Sequence, residues 1–551
     1  MTKDWYKDAV FYEVFVRAFA DGNGDGIGDL RGLTDRLDYL QDLGVDCLWL
    51  LPIYPSPLRD DGYDVADYYS IHPDYGTVED LRTLVDQAHR RGLRVIADMI
   101  PNHTSDQHPW FQASRDPSHP EHEVYRDWYV WSPTDQRYQE ARIIFLDYEE
   151  SNWSWDPVRG AYYWHRFFSH QPDLNYDSPA VQQEMLNVFR FWLDLGVDGF
   201  RVDAVPYLYQ REGTNSENLP ETHVYLKRLR AFVDQHAPGT MLLSEANQWP
   251  EDVRPYLGDG DEFHMNFHFP LMPRIYMALA HADRGPILEI MARTPPIPDV
   301  CQWATFLRNH DELTLEMVTD EEREFMWGFY APDSRMRLNL GIRRRLAPLL
   351  GNDRARIELA NSLLFTLVGS PVIYYGDEIG MGDDIWLEDR DGVRTPMQWS
   401  AAPNAGFSSA DPAQLYCPVI DDDTYGYRHL NADAQRADSG SLLNRMREMI
   451  RIRKAHLAFG RGELHILEPT NQSILAYLRS YAGETILVVN NLSSNAQATE
   501  LELAPWIGAE PVDLFTGESL PVIRASAYRL ELERYAYRWL RIDASMREGK
   551  G

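Results

Sequence analysis

The stretch Val78-Glu-Asp-Leu-Arg-Thr-Leu-Val-Asp-Gln-Ala-His-Arg-Arg91, followed by Gly92-Leu93, Arg94-Val-Ile-Ala97 and Asp98-Met-Ile-Pro-Asn-His103, holds the pattern that decides this fold. An amphipathic helical segment runs through a two-residue turn into a short buried strand, and the strand ends on polar residues. The same alternation continues for about 450 residues. Val10–Val16, Cys47–Leu51, Gly199–Val202, Met241–Leu243, Glu262–Phe267, Trp303–Leu307 and Val372–Tyr375 read as further buried strands. Ala180–Leu195, His223–His236 and Ala355–Val368 read as helices between them. Eight strands alternating with helices predict an α/β fold with a closed (β/α)₈ TIM barrel. A doubly wound open sheet would carry a glycine-rich fingerprint after its first strand, and none is present.

Two gaps exceed ordinary loop lengths. Residues 102–176, after the third strand, are rich in Trp, Tyr, His and Pro, and residues 319–352, after the seventh, are crowded with Arg, Met and aromatics. Loops this long are functional lids or inserted subdomains. The expected organisation is therefore barrel over 1–101, an inserted domain over 102–176, and barrel again over 177–463 with a lid at 319–352. Residues 464–551, where strands alternate without helices, form a C-terminal antiparallel β-sandwich.

Composition narrows the function. The 551 residues carry 53 Lys and Arg against 85 Asp and Glu, a formal charge of −32. Such a surface repels phosphate backbones and anionic lipid, so neither nucleic acid nor membrane is an expected partner. Cys47, Cys301 and Cys417 are too few and too scattered for a disulfide framework or a zinc knuckle. The charged start Met1–Asp8 lacks the apolar core of a signal peptide and no apolar run is long enough to span a bilayer, so a cytoplasmic location is expected. Oligomeric state is not written in the sequence; a homodimer is the working expectation.

In a barrel of this kind catalytic groups stand at the C-terminal ends of the strands. Here those ends read Asp98-Met-Ile-Pro-Asn102-His103, Gly199-Phe-Arg201-Val-Asp203, Ser244-Glu245-Ala-Asn247 and Arg308-Asn309-His310-Asp311. Any one of these acids alone is equally readable as a helix cap. Together, Asp203, Glu245 and Asp311 place three carboxylates on one rim, which is costly unless chemistry requires it. Arg201, two residues before Asp203, shares its face and would hold it ionised, while Glu245 beside other carboxylates would keep its proton. An ionised nucleophile and a protonated acid are what glycosidic bond exchange with retention needs.

On these motifs the chain resembles the α-amylase family of glycoside hydrolases and transglycosylases. The resemblance implies Asp203 as nucleophile, Glu245 as general acid/base and Asp311 as the group gripping the sugar hydroxyls. It further implies that His103, Arg201 and His310 contact the first glucose and that Tyr63 stacks on its ring. Asp60 and Arg390 resemble a pair that seals the pocket in oligo-α-glucosidases, though the two residues also read as an ordinary ion pair, and Gln171 resembles a pocket-lining glutamine of that group. Glu245-Ala-Asn-Gln-Trp-Pro250, Asp203-Ala-Val-Pro-Tyr-Leu-Tyr209, Arg211–His223 and the 319–352 insertion resemble the branch that interconverts maltose and trehalose. The implied activity is an isomerase transferring glucose within the disaccharide, with minor hydrolysis and no organic cofactor. An oligo-α-glucosidase hydrolysing the same substrates is the alternative, and a non-catalytic family member is disfavoured because all three carboxylates are present.

Asp21-Gly-Asn23-Gly-Asp25-Gly-Ile27-Gly-Asp29 spaces oxygen ligands as the first part of an EF-hand loop does, with Ile27 offering its carbonyl, but Gly32 stands where the bidentate Glu belongs. It is not an EF-hand, and a metal-free Gly/Asp turn is the other reading; the oxygens suit a structural Ca²⁺, or Mg²⁺. The resemblance adds a second metal site on Asn102, Asp173 and Glu212 with the carbonyls of Tyr207 and Leu208.

Overall fold

The computed structural model describes residues 4–542. The expectations placed on Met1–Lys3 and on residues 543–551 of the C-terminal domain lie outside these residues. Eight parallel strands close a barrel in chain order: β1 (Phe11–Val14), β2 (Cys47–Leu50), β3 (Arg94–Met99), β4 (Gly199–Val202), β5 (Met241–Ser244), β6 (Met265–Phe267), β7 (Gln302–Phe306) and β8 (Ser370–Tyr374), which returns to β1. Every strand expected from the sequence is present. The sixth is shortened to its last three residues.

The helix Val78–Arg90 begins in a capping box, in which the Thr77 and Asp80 side chains satisfy each other's backbone N–H groups. It buries Leu81, Leu84, Val85 and Ala88 at helical spacing. The start of β4 requires glycine, because a Cβ on Gly199 would stand 2.2 Å from the Met241 carbonyl oxygen of β5. On the other side of β4, Asp98 of β3 pairs directly with Arg201.

The 102–176 segment folds around a three-stranded antiparallel sheet of Trp131–Ser132, Ala161–Trp164 and Trp153–Asp156. Its own small core is aromatic, with Trp153 edge-on to Trp164 at 5.1 Å. After β7, Leu313–Thr314 pairs with Gly341–Ile342, which pairs with Arg337–Leu338. The insertion is therefore stitched to the barrel rim before residue 319, where the composition changes. Its helix Asp320–Tyr330 also opens with a capping box, on Thr319 and Glu322.

Beyond the barrel, a five-stranded antiparallel sheet faces a two-stranded one, Gln497–Glu502 with Ala527–Leu532. Along Ile474–Tyr481 the two-residue period divides the side chains: Ile474, Ala476 and Leu478 share a core with Leu501 and Leu530, while Leu475 and Tyr477 join the main core. Trp539 donates its indole N–H to Ser362, tying this domain to the helix Arg354–Thr366. Among the described residues no helix is long and apolar enough to cross a membrane.

Candidate active site

The polar strand ends meet at one rim, and one buried guanidinium organises them. Arg201, 1 % exposed, donates to Asp98 at 2.8 Å and to Asp203 at 2.6 Å, and its other terminal nitrogen pairs with Glu245. Three acids around one cation leave excess negative charge in a buried site, so the arrangement favours keeping a proton on one of them. Glu245 is the acid that keeps it. Burial pushes its carboxyl up to about 8; Arg201 pulls the other way, and the nearby Asp203 and Asp311 add to the rise. Asp203 is pushed only to about 6, again by burial, with Arg201 the main opposing influence. Near pH 7 Asp203 is mostly ionised and Glu245 mostly protonated, the division a retaining pair needs. The sequence expectation named the carboxylate neighbours as the cause for Glu245, whereas desolvation comes first.

One guanidinium touches both carboxylates, and the two also share a side-chain hydrogen bond, so they stand side by side. Acids this close leave no room for a water between them, as the wider spacing of an inverting pair requires. Neither acid caps a helix. The Ala204 N–H donates to Glu245 at 3.1 Å, an alignment for which Ala204 sits at φ +53, in the left-handed region.

Asp311 lies opposite, bonded by Arg390 at 2.8 Å and Arg394 at 3.1 Å, with the Nε2 of His310 at 3.2 Å. Burial would raise its carboxyl, but His310 and the two guanidiniums hold it well below the usual range, so it stays ionised. Arg390 also pairs with Asp60 at 2.6 Å, and Gln171 donates to the other Asp60 oxygen at 2.7 Å. The pocket's closed end is thus a chain of Gln171, Asp60, Arg390 and Asp311. Burial pushes Asp60 up to about 7 against the pull of Arg390.

Asp60, Tyr63, His103, Asp203, Glu245, Asp311 and Arg390 line the pocket. His103, which burial pushes down to about 3 and so keeps neutral, has a buried Nε2 without a protein partner. Three of the expected residues stand back from the pocket surface. Gln171 is fully buried and acts through Asp60, Arg201 is spent on carboxylates, and His310 stands behind Tyr63 and Asp311; none of the three lines the pocket. The Tyr63 ring lines it and stacks on His310, with ring centres 5.3 Å apart.

The opposite side of the pocket comes from the first insertion and the neighbouring strand-end loops, and its residues were not singled out from the sequence as pocket lining. Ile144, Phe145 and Phe167 of the 102–176 domain line it with Tyr207, Asn247, Glu312, Thr314 and Glu316. Arg142 binds this wall together, reaching Glu217 at 2.9 Å, Glu316 at 2.6 Å and the Tyr207 hydroxyl at 3.3 Å. Asn339, in the hairpin of the second insertion, donates its backbone N–H to Asp147 at 2.7 Å and its side-chain amide to Glu312 at 3.2 Å. Both insertions are joined over the pocket.

The 21–29 loop is an oxygen-only donor set. Its carboxylates accept backbone N–H groups, Asp21 from Asn23, Gly24 and Gly26, Asp25 from Ile27, and Asp29 from Gly22, Asn23 and Gly32. Among the described residues no basic side chain forms an ion pair with Asp21, Asp25 or Asp29. A cation is what these three acids lack, so the residues fit a hard ion. At the second site Asn102 Oδ1 and Asp173 Oδ2 are buried without partners, and burial pushes Asp173 up to about 8. These two oxygens fit a cation as well. Glu212 is engaged elsewhere, by Arg137 at 2.7 Å and the Tyr138 N–H, and the Tyr207 carbonyl accepts from Gln210. Among the described residues no three His, Cys, Asp or Glu side chains gather in a metal-binding group, so carbonyl and amide oxygens would have to complete either site.

The α-amylase catalytic domain matches residues 13–327 and 342–462, and the maltogenic amylase C-terminal domain matches residues 464–539. The chain belongs to the α-amylase family. The family match skips 328–341, the middle of the second insertion, so that part of the pocket cover lies outside the shared domain. The chain is 61% identical over 546 residues to trehalose synthase/amylase TreS of Mycobacterium tuberculosis, covering 98% of this chain and 90% of that protein. It is 58% identical over 553 residues to a trehalose synthase of Pimelobacter sp. strain R48, covering 98% and 96%. Among solved structures, an alpha-glucosyl transfer enzyme, XgtA, superposes with a TM-score of 0.81 at 29% identity, covering 98% of this chain and all of that one.

Proposed function

We propose that this α-amylase family member interconverts maltose and trehalose by moving glucose within the disaccharide, with a little hydrolysis. Asp203 attacks the anomeric carbon while Glu245 delivers its proton to the departing glucosyl oxygen, and Asp311 supports the positive charge that develops on the ring. The released glucose stays in the pocket and turns. It then returns through its own anomeric hydroxyl, whose proton Glu245 takes back. Two inversions at one carbon leave an α bond, now 1,1.

The observation that carries this over simple hydrolysis is the joined cover: Asn339 links the second insertion to Asp147 of the first, and Arg142 ties the first to Glu217 and Glu316 on the rim, above the space the second glucose would occupy. A retained glucose and an excluded water are the same requirement. The similarity to trehalose synthases and to an alpha-glucosyl transfer enzyme supports the same choice. Incubating the protein with maltose alone and quantifying trehalose and glucose over time is the test. Trehalose in large excess is expected; glucose as the main product would make it an oligo-α-glucosidase.

We also propose that the 21–29 loop holds a structural Ca²⁺ or Mg²⁺ through Asp21, Asn23, Asp25, the Ile27 carbonyl and Asp29, its role confined to stiffening the rim after β1. A second ion on Asn102 and Asp173 is supported by their two orphaned oxygens. The unpaired cysteines, all buried, accord with a reducing compartment such as the cytoplasm.

A further inference from the structure

Glu13 is the one acid in the apolar strand Phe11-Tyr-Glu-Val14, fully buried inside the barrel beneath the pocket. Its Oε1 meets His310 twice, at the backbone N–H (3.1 Å) and at ring Nδ1 (2.5 Å), while its Oε2 has no partner. Asp98, Arg201 and Asp311 stand around the pair, and no hydrogen bond or ion pair joins them to Glu13 among the described residues.

Counting protons settles the ring. The Tyr63 hydroxyl donates to Asp98 Oδ2 at 2.9 Å, so toward His310 Nε2, 2.8 Å away, its oxygen can only accept. Asp311 Oδ2, 3.2 Å from the same nitrogen, belongs to a carboxylate paired with Arg390 and Arg394, which keep it ionised, and also only accepts. Nε2 therefore carries hydrogen. Between Nδ1 and Glu13 one further proton is needed, and it sits either on the ring as an ion pair or on the acid as a neutral pair. An ionised Glu13 would bury a charge with one oxygen unbonded, a penalty that the neutral acid avoids. Burial pushes Glu13 well up and His310 well down, in the same direction.

We infer that Glu13 is a positioning residue: a carboxylic acid held neutral in the barrel core, whose proton is donated to His310 Nδ1, fixing the ring with its N–H at Nε2 toward Tyr63 and Asp311. Those two groups line the pocket, so the inference rests on the α-glucoside site proposed above and names what sets its polarity from behind. The apolar strand could have filled this position with leucine, which cannot donate to Nδ1; a protonated acid or an amide of the same length can.

Selective ¹⁵N-histidine labelling of the ligand-free protein, with the His310 signals assigned by their loss in H310Q, reads the tautomer directly. A protonated Nε2 and an unprotonated Nδ1, unchanged from pH 6 to 8, are expected; a protonated Nδ1 would overturn the inference. This readout needs no substrate and holds whether the enzyme isomerises or hydrolyses, so it fails separately from the proposed activity. In parallel, Glu13→Leu should lower kcat/KM for maltose consumption by about 10–100-fold, the usual cost of removing such a supporting bond. Glu13→Gln, whose amide can donate to Nδ1, should recover most of that loss. A Glu13→Leu variant as active as the parent, or a Glu13→Gln variant as impaired as Glu13→Leu with both still folded by thermal melting, would contradict it.

Discussion

The two walls of the pocket are built on different principles. On the barrel side, Asp98, Asp203, Glu245 and Asp311 stand at strand ends, fixed by backbone register and by buried Arg201, Arg390 and Arg394. On the insertion side the fixing is done by side chains reaching across long loops. The Arg142 side chain is 36% exposed and Glu316 16% exposed, against 1% for Arg201. The first wall is preorganised for chemistry at one carbon, with little room to adjust. The second is held by more exposed contacts, the kind from which moving covers are drawn. Bond exchange belongs to the first wall and the fate of the released glucose to the second.

That division can be broken most severely at the rigid wall. Asp203→Asn should abolish trehalose and glucose formation together, by at least about 10⁴-fold, and Glu245→Gln should cost about 10²–10⁴-fold, both read as maltose consumption. Loss of one product without the other would mean that the walls are not separable. Next in size is Arg142→Ala. Cleavage should persist while the trehalose-to-glucose ratio falls roughly tenfold, because water reaches the covalent intermediate. An unchanged ratio would remove the cover from the account.

A smaller effect sharpens the comparison through pH. Activity needs Asp203 ionised and Glu245 protonated, so kcat/KM should fall as pH drops through about 6 and again as it rises through about 8. Arg142→Ala should leave both limbs in place, since Arg142 touches neither acid. The smallest expected effect is from a chelator: EDTA should lower the melting temperature by a few degrees, with calcium restoring it. No shift at all would count against an ion in the 21–29 loop.

The barrel wall was legible in the sequence because strand ends repeat one grammar: a short apolar run stops and a polar cluster begins, as at Gly199-Phe-Arg-Val-Asp203. The period of two puts Arg201 with Asp203, and the fold brings Glu245 and Asp311 to the same rim. The insertion wall was not legible, because Arg142 and Glu316 lie 174 residues apart and neither sits in a periodic segment. Gln171, Arg201 and His310 lie at the site but are engaged by Asp60, by the carboxylates and by Tyr63 with Asp311; spacing places a residue near a site without saying which neighbour claims its polar atoms first. Glu13 left the plainest unused signal, a charged residue inside a strand otherwise apolar and aromatic.

The central claim is that the glucose released from Asp203's intermediate does not leave before it returns. The direct measurement is to run the reaction from unlabelled maltose with excess ¹³C-glucose in solution and follow the label in newly formed trehalose. Trehalose almost free of label, formed well ahead of free glucose, is the predicted result. Trehalose labelled in proportion to the added glucose would show that the released sugar exchanges with solvent and would contradict the account.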